Sequence, residues 1–403
     1  MPTPDATGFN SVEEVIAEIK AGRLVVVTDD EDRENEGDLI GAAALLTPEK
    51  VNFMITEGRG MLCAPVSQEI AERLGLGPMV ARNREQFHTN YTVTIDAAKG
   101  ITTGVSATDR SHTIRLLAEA ATVASDLTQP GHVNPLVARP GGVLRRAGHT
   151  EAAVDLACLA GLPAAAAIIE ILNADGNPAR LPELRVFAEK HGLKITSIAA
   201  LIEYRRHFEK LVQREQVIRL PTDFGEFDLY LYRSTVDGQE HLAMVKGDVA
   251  NGEPVLVRVH SECLTGDVFG SRRCDCGWQL HTAMQRISDE GRGVLLYMRQ
   301  EGRGIGLAAK IHAYKLQEEG YDTVEANLKL GFPMDLRDYG MGAQMLHDIG
   351  VRKIRLMTNN PKKVVGLEGH HLEIVEQLSI VPESNPDNER YLATKRDKMG
   401  HAL

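Results

Sequence analysis

Three of the five cysteines lie in one short segment, and this clustering constrains the fold more than any other feature of the sequence. The segment V-H-S-E-C-L-T-G-D-V-F-G-S-R-R-C-D-C-G-W-Q-L contains Cys263, Cys274 and Cys276. The ten residues between Cys263 and Cys274 can form a loop that returns the first thiolate to the other two. Thiolates prefer zinc to magnesium or calcium, and three protein ligands leave one zinc position for water or substrate. The segment therefore predicts a catalytic zinc site.

Two other interpretations of the cysteines remain open. The zinc could be structural, with His260 or His281 as a fourth ligand, or the cysteines could be unrelated buried thiols. A structural site usually shows paired Cys-x-x-Cys spacing, which is absent here. Isolated core cysteines seldom lie among charged neighbours such as Arg272, Arg273 and Asp275. A catalytic site is the favoured interpretation.

The length and charge of the chain limit its class. A chain of 403 residues predicts two domains of about 200 residues each. The N-terminal M-P-T-P-D-A-T-G-F-N has no signal-peptide pattern, and no apolar run is long enough to span a membrane. Clustered cysteines that are not disulfides suit a reducing compartment, so we expect a cytoplasmic protein without a membrane partner. The net charge of -11 argues against a nucleic-acid partner.

Hydrophobic patterns predict an α/β fold of the α+β type, with two mixed domains in tandem. S-V-E-E-V-I-A-E-I-K reads as an amphipathic helix, and L-V-V-V-T after Gly22 reads as a buried strand. Near the middle, H-G-L-K-I-T-S-I-A-A-L-I-E-Y-R-R-H-F predicts a short strand and a charged helix. A new set of strands begins at R-L-P-T-D-F-G-E-F-D-L-Y-L-Y. We therefore predict domains at residues 1–206 and 207–403.

Further polar motifs follow the cysteines. Y-M-R-Q-E-G-R-G-I-G-L contains Glu301, Arg303 and closely spaced glycines, which let backbone N–H groups approach phosphate. Taken alone this is a weak signal that a tight turn would also give. D-T-V-E-A-N, M-D-L-R-D-Y-G and the strand-like I-R-L-M-T come next, followed by N-N-P-K-K. Thr358 and Lys363 would then flank the end of a strand.

Taken in order, these motifs closely resemble GTP cyclohydrolase II over about residues 209–400. R-V-H-S-E-C-L-T-G-D, S-R-R-C-D-C-G, R-Q-E-G-R-G-I-G-L, D-T-V-E-A-N, R-D-Y-G and T-N-N-P-K-K all carry the resemblance. It implies that the three clustered cysteines hold one Zn²⁺ and that a further set of residues contacts GTP. That set is Arg258, Val259, His260, Ser261, Glu262, Gln279, Glu301, Gly302, Arg303, Thr323, Thr358 and Lys363.

The resemblance also implies a reaction. Zinc would lower the pKa of water to give a hydroxide that attacks C8 of the purine, which leaves as formate. Tyr314 would assist near that carbon, and Asp335 would accept a proton. The family gives Arg337 the role of a nucleophile at the α-phosphorus. Because a guanidinium stays protonated, stabilising charge on the phosphate is the physically easier role for Arg337.

Two clusters in the N-terminal half predict an anion site and a metal site. D-D-E-D-R-E-N-E-G-D directly follows the strand that ends at Thr28, and carboxylates at a strand end can bind Mg²⁺ or Mn²⁺. R-R-A-G-H-T-E-A places Arg146 and His149 at the start of a helix. Thr150 reads as its N-cap, and free N–H groups beside an arginine predict a phosphate site. Cys158, within this helix, is expected in the core.

Two candidate acid/base residues lie elsewhere in this half. Glu170 occurs in the apolar run A-A-A-A-I-I-E-I-L, where a carboxylate is costly without a partner, a metal or a proton. His132 occurs in P-G-H-V-N-P-L. Together with D-E-D-R-E-N-E-G-D, G-I-T-T-G-V-S-A-T-D-R and R-A-G-H-T-E-A, they resemble 3,4-dihydroxy-2-butanone 4-phosphate synthase over about residues 10–206.

That resemblance implies conversion of D-ribulose 5-phosphate to dihydroxybutanone phosphate and formate. Glu34 and His149 would bind Mg²⁺ or Mn²⁺, and His132 and Glu170 would be the essential catalytic groups. A larger set would contact the sugar phosphate. It comprises Arg33, Glu34, Asp38, Arg146, Ala147, Gly148, His149, Thr150 and Glu170.

We therefore expect a bifunctional riboflavin-biosynthesis enzyme that acts on small molecules, and we expect a homodimer. Two alternatives are that only one half is active, or that the C-terminal half is a zinc-dependent GTP sensor without turnover. Asn134 stands where the synthase family commonly has Phe, and Asn90 follows Thr89 in F-H-T-N-Y. Both departures are expected to alter loop packing over the sugar phosphate.

Overall fold

The protein forms two compact units in the computed structural model, residues 1–208 and 209–403. The structure describes residues 8–332, 337, 340–360, 372–381, 388, 393 and 396. Asp335 and Lys363, which the sequence assigns to the GTP site, lie outside the described residues. The predicted division between residues 206 and 207 stays a prediction.

The N-terminal unit is built on a seven-stranded mixed sheet with the strand order β4-β5-β3-β6-β2-β1-β7. The strands are β1 Val25–Thr28, β2 Gly37–Ala42, β3 Cys63–Val66, β4 Ile95–Ala97, β5 Leu127–Val137, β6 Ala166–Glu170 and β7 Lys194–Ser197. The helices are α1 Val12–Lys20, α2 Pro48–Phe53, α3 Gln68–Arg73, α4 Ala107–Ala118, α5 His149–Leu159, α6 Leu181–His191 and α7 Ile198–Phe208. A π-helical turn, Met54–Gly58, follows α2.

Both faces of this sheet are buried, which explains the continuous apolar run of β1. Val25 and Val27 pack in a core with residues of α1, α5 and α7. Val26 faces the opposite core, together with residues of α4 and α6. Strands that are covered on both sides lose the polar alternation of a half-exposed strand. Ser11 caps α1 and forms a capping box with Glu14, so the helix starts where the sequence predicts it.

The C-terminal unit contains a second seven-stranded sheet with the order β14-β13-β11-β12-β10-β9-β8. Its strands are β8 Val212–Thr222, β9 Gly225–Ser234, β10 Glu240–Lys246, β11 Val255–Ser261, β12 Gly293–Met298, β13 Lys353–Met357 and β14 Glu373–Leu378. Its helices are α8 Leu264–Asp267, α9 Cys276–Glu290, α10 Gly306–Glu318, α11 Thr323–Lys329 and α12 Gly340–Ile349.

The two sides of this sheet are covered by different helices. Ala283 and Ile287 of α9 pack on Leu295 of β12. Gly342 of α12 approaches Leu296 and Val259 from the other side. Strands β11, β12, β13 and β14 are parallel, and β8, β9, β10 and β12 pair antiparallel. The predicted fold class, two mixed α/β units in tandem, is confirmed.

Two local predictions were wrong. Helix α5 begins at His149 with Gly148 as its N-cap, so Thr150 already lies inside the first turn. Gly148 adopts the extended conformation of an N-cap residue, and a Cβ there would collide with the Arg146 guanidinium. Cys158 is exposed, although residues 149–157 of the same helix are all buried. The helix leaves the core in its last turn, which places this cysteine at the surface.

Among the described helices, none combines the length and apolar character needed to cross a lipid bilayer.

Gly131 allows β5 to pass close to β4. A Cβ at this position would overlap the backbone atoms of Ile95 and Asp96. We expect Gly131→Ala to lower the free energy of unfolding of the N-terminal unit by about 3 kcal/mol, because backbone cannot move aside as a flexible side chain can. Urea and thermal unfolding measure this change. Gly77→Ala is the matched control, because a Cβ at Gly77 meets no atom within 4 Å. Equal stability of the two variants would contradict the prediction.

Candidate active sites

Several strands of the N-terminal sheet bring their polar ends to one edge. Antiparallel pairing sets Thr28 of β1 opposite Gly37 of β2, so Asp29 and Asp38 lie next to these positions. Asp38 in turn pairs with Glu170, the last residue of β6. Helix α5 begins beside them, because the His149 side chain approaches Asp38. The edge of the sheet therefore collects carboxylates that are far apart in the sequence.

Asp29, Glu34 and His149 form a cluster that could hold a cation, with one ligand atom from each lying within 4.8 Å of the others. His149 Nε2 lies 3.2 Å from the carbonyl oxygen of Val27. In the neutral ring, a hydrogen bond donated to that carbonyl would leave Nδ1, which lies 3.6 Å from the Glu34 carboxylate, available as a metal ligand. Arg33 bridges the carboxylates of Asp29 and Glu34 at 2.8 and 2.9 Å.

The buried carboxylates at this edge of the sheet are stable in their ionised form only beside a positively charged group. Burial, with a smaller effect of the neighbouring carboxylates, raises the pKa of Asp38 to about 7 although His149 acts to lower it. Burial lowers the pKa of His149, but the carboxylates of Asp38 and Glu34 outweigh it and raise that pKa to about 9. Asp38 Oδ1 is buried and makes no hydrogen bond within the described part of the chain. These groups fit a bound divalent cation.

His132 and Glu170 share this edge of the sheet. Cys63 of β3 pairs with Asn134 on one side and with Ile168 on the other. His132 lies two residues before Asn134 on the parallel strand β5, and Glu170 lies two residues after Ile168 on the antiparallel strand β6. Both therefore point past the same end of β3. The backbone N–H of Met61 donates to Glu170 Oε2 at 2.7 Å, which holds the carboxylate there.

Arg146 lies beside the first turn of α5, as the sequence predicts. Its guanidinium bonds to the Glu151 carboxylate at 2.6 Å and to Thr89 Oγ1 at 2.7 Å. Its Nε donates to the carbonyl oxygen of Phe87, whose ring lies under the guanidinium of Arg33. The loop around residues 83–90 therefore packs against both arginines that the sequence assigns to the sugar phosphate.

The two unusual asparagines hydrogen-bond to strand backbone. Asn134 Nδ2 donates to the Leu62 carbonyl oxygen, and Asn90 Nδ2 donates to that of Val137. Their effect on loop packing stays a prediction.

The three clustered cysteines converge in the C-terminal unit. The three Sγ atoms all lie within 4.8 Å of one another, and those of Cys263 and Cys274 are 3.7 Å apart. S–H groups of Cys274 and Cys276 donate to Cys263 and lower its pKa strongly. The same contacts raise the pKa of Cys274 to about 11 and that of Cys276 well above its usual value. Ionisation of one thiol therefore opposes ionisation of the other two, and a bound cation would favour the ionised form of all three.

Neither candidate fourth ligand joins the cysteines. His260 Nε2 faces the Asp267 carboxylate at 3.1 Å, and the ring of His281 stacks on Phe224. Among the described residues of the C-terminal unit, the metal-ligand cluster consists of the three cysteines alone. Their proximity contradicts the interpretation as unrelated thiols, and the ligand set matches an open zinc site with three sulfurs.

Lys310 and Glu301 form hydrogen bonds that hold the loop of Cys263 in place. Lys310 Nζ donates to Cys263 Sγ at 3.1 Å, to Thr265 Oγ1 at 3.0 Å and to Glu301 Oε1 at 2.8 Å. Glu301 Oε2 also accepts the backbone N–H of Leu264 at 2.7 Å. Burial lowers the pKa of Lys310, but the Glu301 carboxylate and the Cys263 thiolate raise it overall. Glu301 therefore connects the glycine-rich turn to the cysteine loop.

The cysteines form one wall of an open cleft with an empty volume of about 1090 Å³, which includes solvent at its mouth. Most of the predicted GTP contacts line this cleft, as do Tyr314 and Arg337. These contacts are Arg258, His260, Ser261, Glu262, Gln279, Glu301, Gly302, Arg303, Thr323 and Thr358. Val259 does not line it, because alternate residues of β11 face opposite sides of the sheet and Val259 packs near Gly342.

Arg303 has the features of an anion-binding residue. Its φ of 64° is left-handed, a conformation that costs free energy for a residue with a Cβ. Its Nη1 atom is buried and has no hydrogen-bond partner among the described residues. Gly302 shares the same φ, so consecutive left-handed residues turn the backbone into the cleft.

Other side chains of the cleft are held by internal contacts. Arg258 bonds to the carbonyl oxygen of Met357 and to Gln279 Oε1, while Gln279 Nε2 donates to Asp275 Oδ2 at 2.8 Å. The Tyr314 hydroxyl lies 3.4 Å from Thr265 Oγ1, and burial raises its pKa. Thr358 directly follows β13, as predicted for the end of a strand.

Sequence reasoning missed several residues. Asp29 joins the N-terminal cation cluster, and its position directly after β1 could have indicated it. Lys310 carries no motif signal, because it approaches Cys263 only through the packing of α10. Asp96 contacts His132 across a strand pair, and the I-D-A pattern of a buried strand was the available signal. Arg273 and Asn327 also line the cleft.

Comparisons with known proteins agree with this arrangement. Residues 13–204 match the family profile of 3,4-dihydroxy-2-butanone 4-phosphate synthase, and residues 213–379 match that of GTP cyclohydrolase II. The riboflavin biosynthesis protein RibBA of Bacillus subtilis is 58% identical over 396 residues, covering 98% of this chain and 99% of that protein. RibBA of Bacillus cereus is 57% identical over 395 residues, with the same coverage of both chains.

A solved structure is similar along most of the chain. It is described as RibBX, a two-domain 3,4-dihydroxy-2-butanone 4-phosphate synthase from A. baumannii. The two chains are 40% identical and superpose with a TM-score of 0.70, covering 93% of this chain and 100% of the other.

Proposed function

The chain belongs to the bifunctional riboflavin biosynthesis enzymes that join a 3,4-dihydroxy-2-butanone 4-phosphate synthase domain to a GTP cyclohydrolase II domain. From this premise we propose the reactions of each half. The N-terminal half converts D-ribulose 5-phosphate to L-3,4-dihydroxy-2-butanone 4-phosphate and formate. The C-terminal half converts GTP to 2,5-diamino-6-(5-phosphoribosylamino)pyrimidin-4(3H)-one, formate and pyrophosphate. The observation that carries this proposal is the presence of a separate metal-ligand cluster in each unit.

In the N-terminal half, Glu34 and His149 would hold Mg²⁺ or Mn²⁺, with Asp29 as a further ligand. When bound, the ion would supply positive charge beside the sugar oxygens, which favours removal of a proton from the neighbouring carbon. His132 and Glu170 transfer that proton, because both reach the same edge of the sheet as the metal ligands. The resemblance also assigns Asp38 to the substrate, and its buried Oδ1 atom has no hydrogen-bond partner among the described residues.

The phosphate of the sugar binds at the start of α5. An 11-residue helix directs its free N–H groups at this point, and the N-cap Gly148 lets the Arg146 guanidinium lie close to the helix start. Arg33 and Arg146 supply positive charge there. The loop around residues 83–90 excludes water from this region because Phe87 covers Arg33.

In the C-terminal half, Cys263, Cys274 and Cys276 would hold Zn²⁺. When bound, the ion would supply the Lewis acidity that activates water for attack on C8 of the purine. Tyr314 lies on the wall beside the cysteines and orients that carbon. Lys310 donates to Cys263 Sγ and keeps that ligand in position.

The triphosphate binds where Arg303 projects into the cleft, because its buried Nη1 atom needs an acceptor. Arg337 stabilises negative charge at the α-phosphate, which suits a permanently protonated group better than nucleophilic attack. The proposed roles of Asp335 and Lys363 rest on their motifs alone. Glu301, which the motif assigns to GTP, uses both carboxylate oxygens in contacts within the protein.

One alternative has a specific observation in its favour. The similar A. baumannii chain has two domains, yet its description names only the synthase. In this chain the three cysteines, Tyr314 and Arg303 are all in one cleft, which favours an active C-terminal half over a silent one. Formate release from GTP would also exclude a sensor without turnover.

Cys274→Ser tests the C-terminal reaction. We expect it to abolish GTP ring opening and bound zinc, because a hydroxyl is a poor replacement for a thiolate ligand. Conversion of ribulose 5-phosphate should continue at the wild-type rate. Elemental analysis and assays of both products measure these outcomes. Cys158→Ser is the matched control, because Cys158 is exposed and outside the cluster. Retention of GTP turnover by Cys274→Ser would refute the zinc assignment.

His149→Ala tests the N-terminal reaction. We expect loss of ribulose 5-phosphate conversion and weaker Mn²⁺ binding, because one ligand of the cation cluster is removed. GTP turnover should stay unchanged. Isothermal titration with Mn²⁺ and separate product assays measure the effect. His207→Ala, an exposed position at the end of α7, is the control. Normal magnesium-dependent activity of His149→Ala would show that the ligand assignment is wrong.

A further inference from the structure

We propose that Arg273 is a positioning residue that fixes the Tyr314 side chain beside the clustered cysteines. Its guanidinium lies over the Tyr314 ring and is held there by the carboxylate of Glu318. The inference deepens the proposed GTP reaction and rests on the role proposed there for Tyr314. The roles that the family resemblance implies include neither Arg273 nor Glu318.

Arg273 makes two contacts with helix α10. Its Nη2 atom donates to Glu318 Oε1 at 2.7 Å, and its Cζ atom lies 5.3 Å from the centroid of the Tyr314 ring. Tyr314 and Glu318 are four residues apart in α10, so their side chains are neighbours on one face of the helix. A planar guanidinium can bond to a carboxylate along its edge while its face rests on an aromatic ring. One arginine therefore links both side chains.

The sequence places this arginine directly before a cysteine of the candidate zinc site. Cys274 follows Arg273, and α9 begins shortly afterwards at Cys276. The backbone that fixes the position of Cys274 therefore also fixes the start of the Arg273 side chain. Contact with this arginine sets the Tyr314 ring relative to the metal ligands.

The hydroxyl end of Tyr314 needs this support because its own contact is long. Tyr314 Oη lies 3.4 Å from Thr265 Oγ1, whereas hydrogen bonds between oxygen atoms are usually about 2.7–2.8 Å long. Thr265 Oγ1 in turn lies 3.7 Å from Cys263 Sγ. Lys310 Nζ lies 5.6 Å from the ring centroid but directs its hydrogen bonds elsewhere. The contact with Arg273 therefore supplies orientation that the hydroxyl contact cannot.

The exposure of the ion pair separates an orienting role from a stabilising one. The side chains of Arg273 and Glu318 are 46% and 51% exposed. Ion pairs exposed to this degree contribute little to folding stability, because water and salt screen the charges. Removal of the arginine should therefore leave the C-terminal unit folded and change only the freedom of the Tyr314 side chain.

A direct contact with the triphosphate is the other role open to Arg273. The residue lines the same cleft as Arg303. The Arg273 guanidinium already holds an anionic partner, Glu318, whereas the buried Nη1 atom of Arg303 has none among the described residues. This difference favours Arg303 as the phosphate ligand and Arg273 as the support of Tyr314. The two roles predict different kinetics.

Arg273→Met in the full chain tests the inference. We expect kcat for GTP ring opening to fall about 3- to 30-fold, the range for loss of one cation–π contact that acts fully in the transition state. KM for GTP should stay within about twofold, because no phosphate contact is lost. Zinc content by elemental analysis and conversion of ribulose 5-phosphate should both stay at the wild-type value. Lys315→Met is the matched control, because it removes another cation that lies 3.7 Å from Glu318. It should leave kcat unchanged.

A second background separates an effect on Tyr314 from a general structural effect. The same substitution is made in Tyr314→Phe, which has no hydroxyl to orient. We expect Arg273→Met to change kcat by less than about twofold in that background, because residues that act as a unit are not additive. A structural defect or a lost phosphate contact would instead lower activity equally in both backgrounds.

Four results would overturn the inference. They are an unchanged kcat in Arg273→Met, a raised KM with normal kcat, loss of zinc from that variant, and an equal fall of kcat in both backgrounds. The second result would assign Arg273 to the triphosphate. Failure of the proposed function gives a different result. In that case the wild type opens no GTP ring, or Tyr314→Phe keeps the wild-type kcat, and the inference falls with it.

Discussion

Electrostatic repulsion between crowded anionic ligands is the constraint on which both halves of this protein depend. The C-terminal unit holds three thiols so close that ionisation of Cys263 raises the pKa of Cys274 and Cys276. The N-terminal unit buries Asp38 beside Glu34 and His149. Gathering such groups is unfavourable unless a cation is present. In the protein alone, Lys310 and Arg33 supply part of this positive charge, and divalent metals would supply the rest.

Both sheets bring their candidate metal ligands together in the same way. Strand ends bring residues that are distant in sequence to one edge, and a short helix start or loop adds the remaining ligand. In the N-terminal unit, β1, β2 and β6 deliver the carboxylates, and α5 delivers His149. In the C-terminal unit, β11 leads into the loop of Cys263, and α9 begins at Cys276. The candidate ligands therefore lie at helix starts or in the loops between these elements, and the elements fix where each loop begins and ends.

Much of this arrangement could be predicted from sequence because it depends on local patterns. The periodicity of α1 and the apolar run of β1 were sufficient for those elements, and cysteine spacing was sufficient for the thiol cluster. Thr150 was misjudged as an N-cap because Gly148 can cap a helix through its backbone conformation alone. Cys158 was misjudged as core because helical spacing does not reveal where a helix leaves the protein interior. The contact between Asp96 and His132 depends on an irregular pairing of β4 with β5, which local sequence patterns do not specify.

The central claim is that one chain carries two independent reactions, each at its own cluster. The most direct test follows labelled formate by ¹³C NMR in one preparation. One sample contains GTP labelled at C8 with unlabelled ribulose 5-phosphate, and the other contains uniformly labelled ribulose 5-phosphate with unlabelled GTP. The account predicts labelled formate in both samples, each at the rate observed without the second substrate. Labelled formate from only one substrate would contradict it.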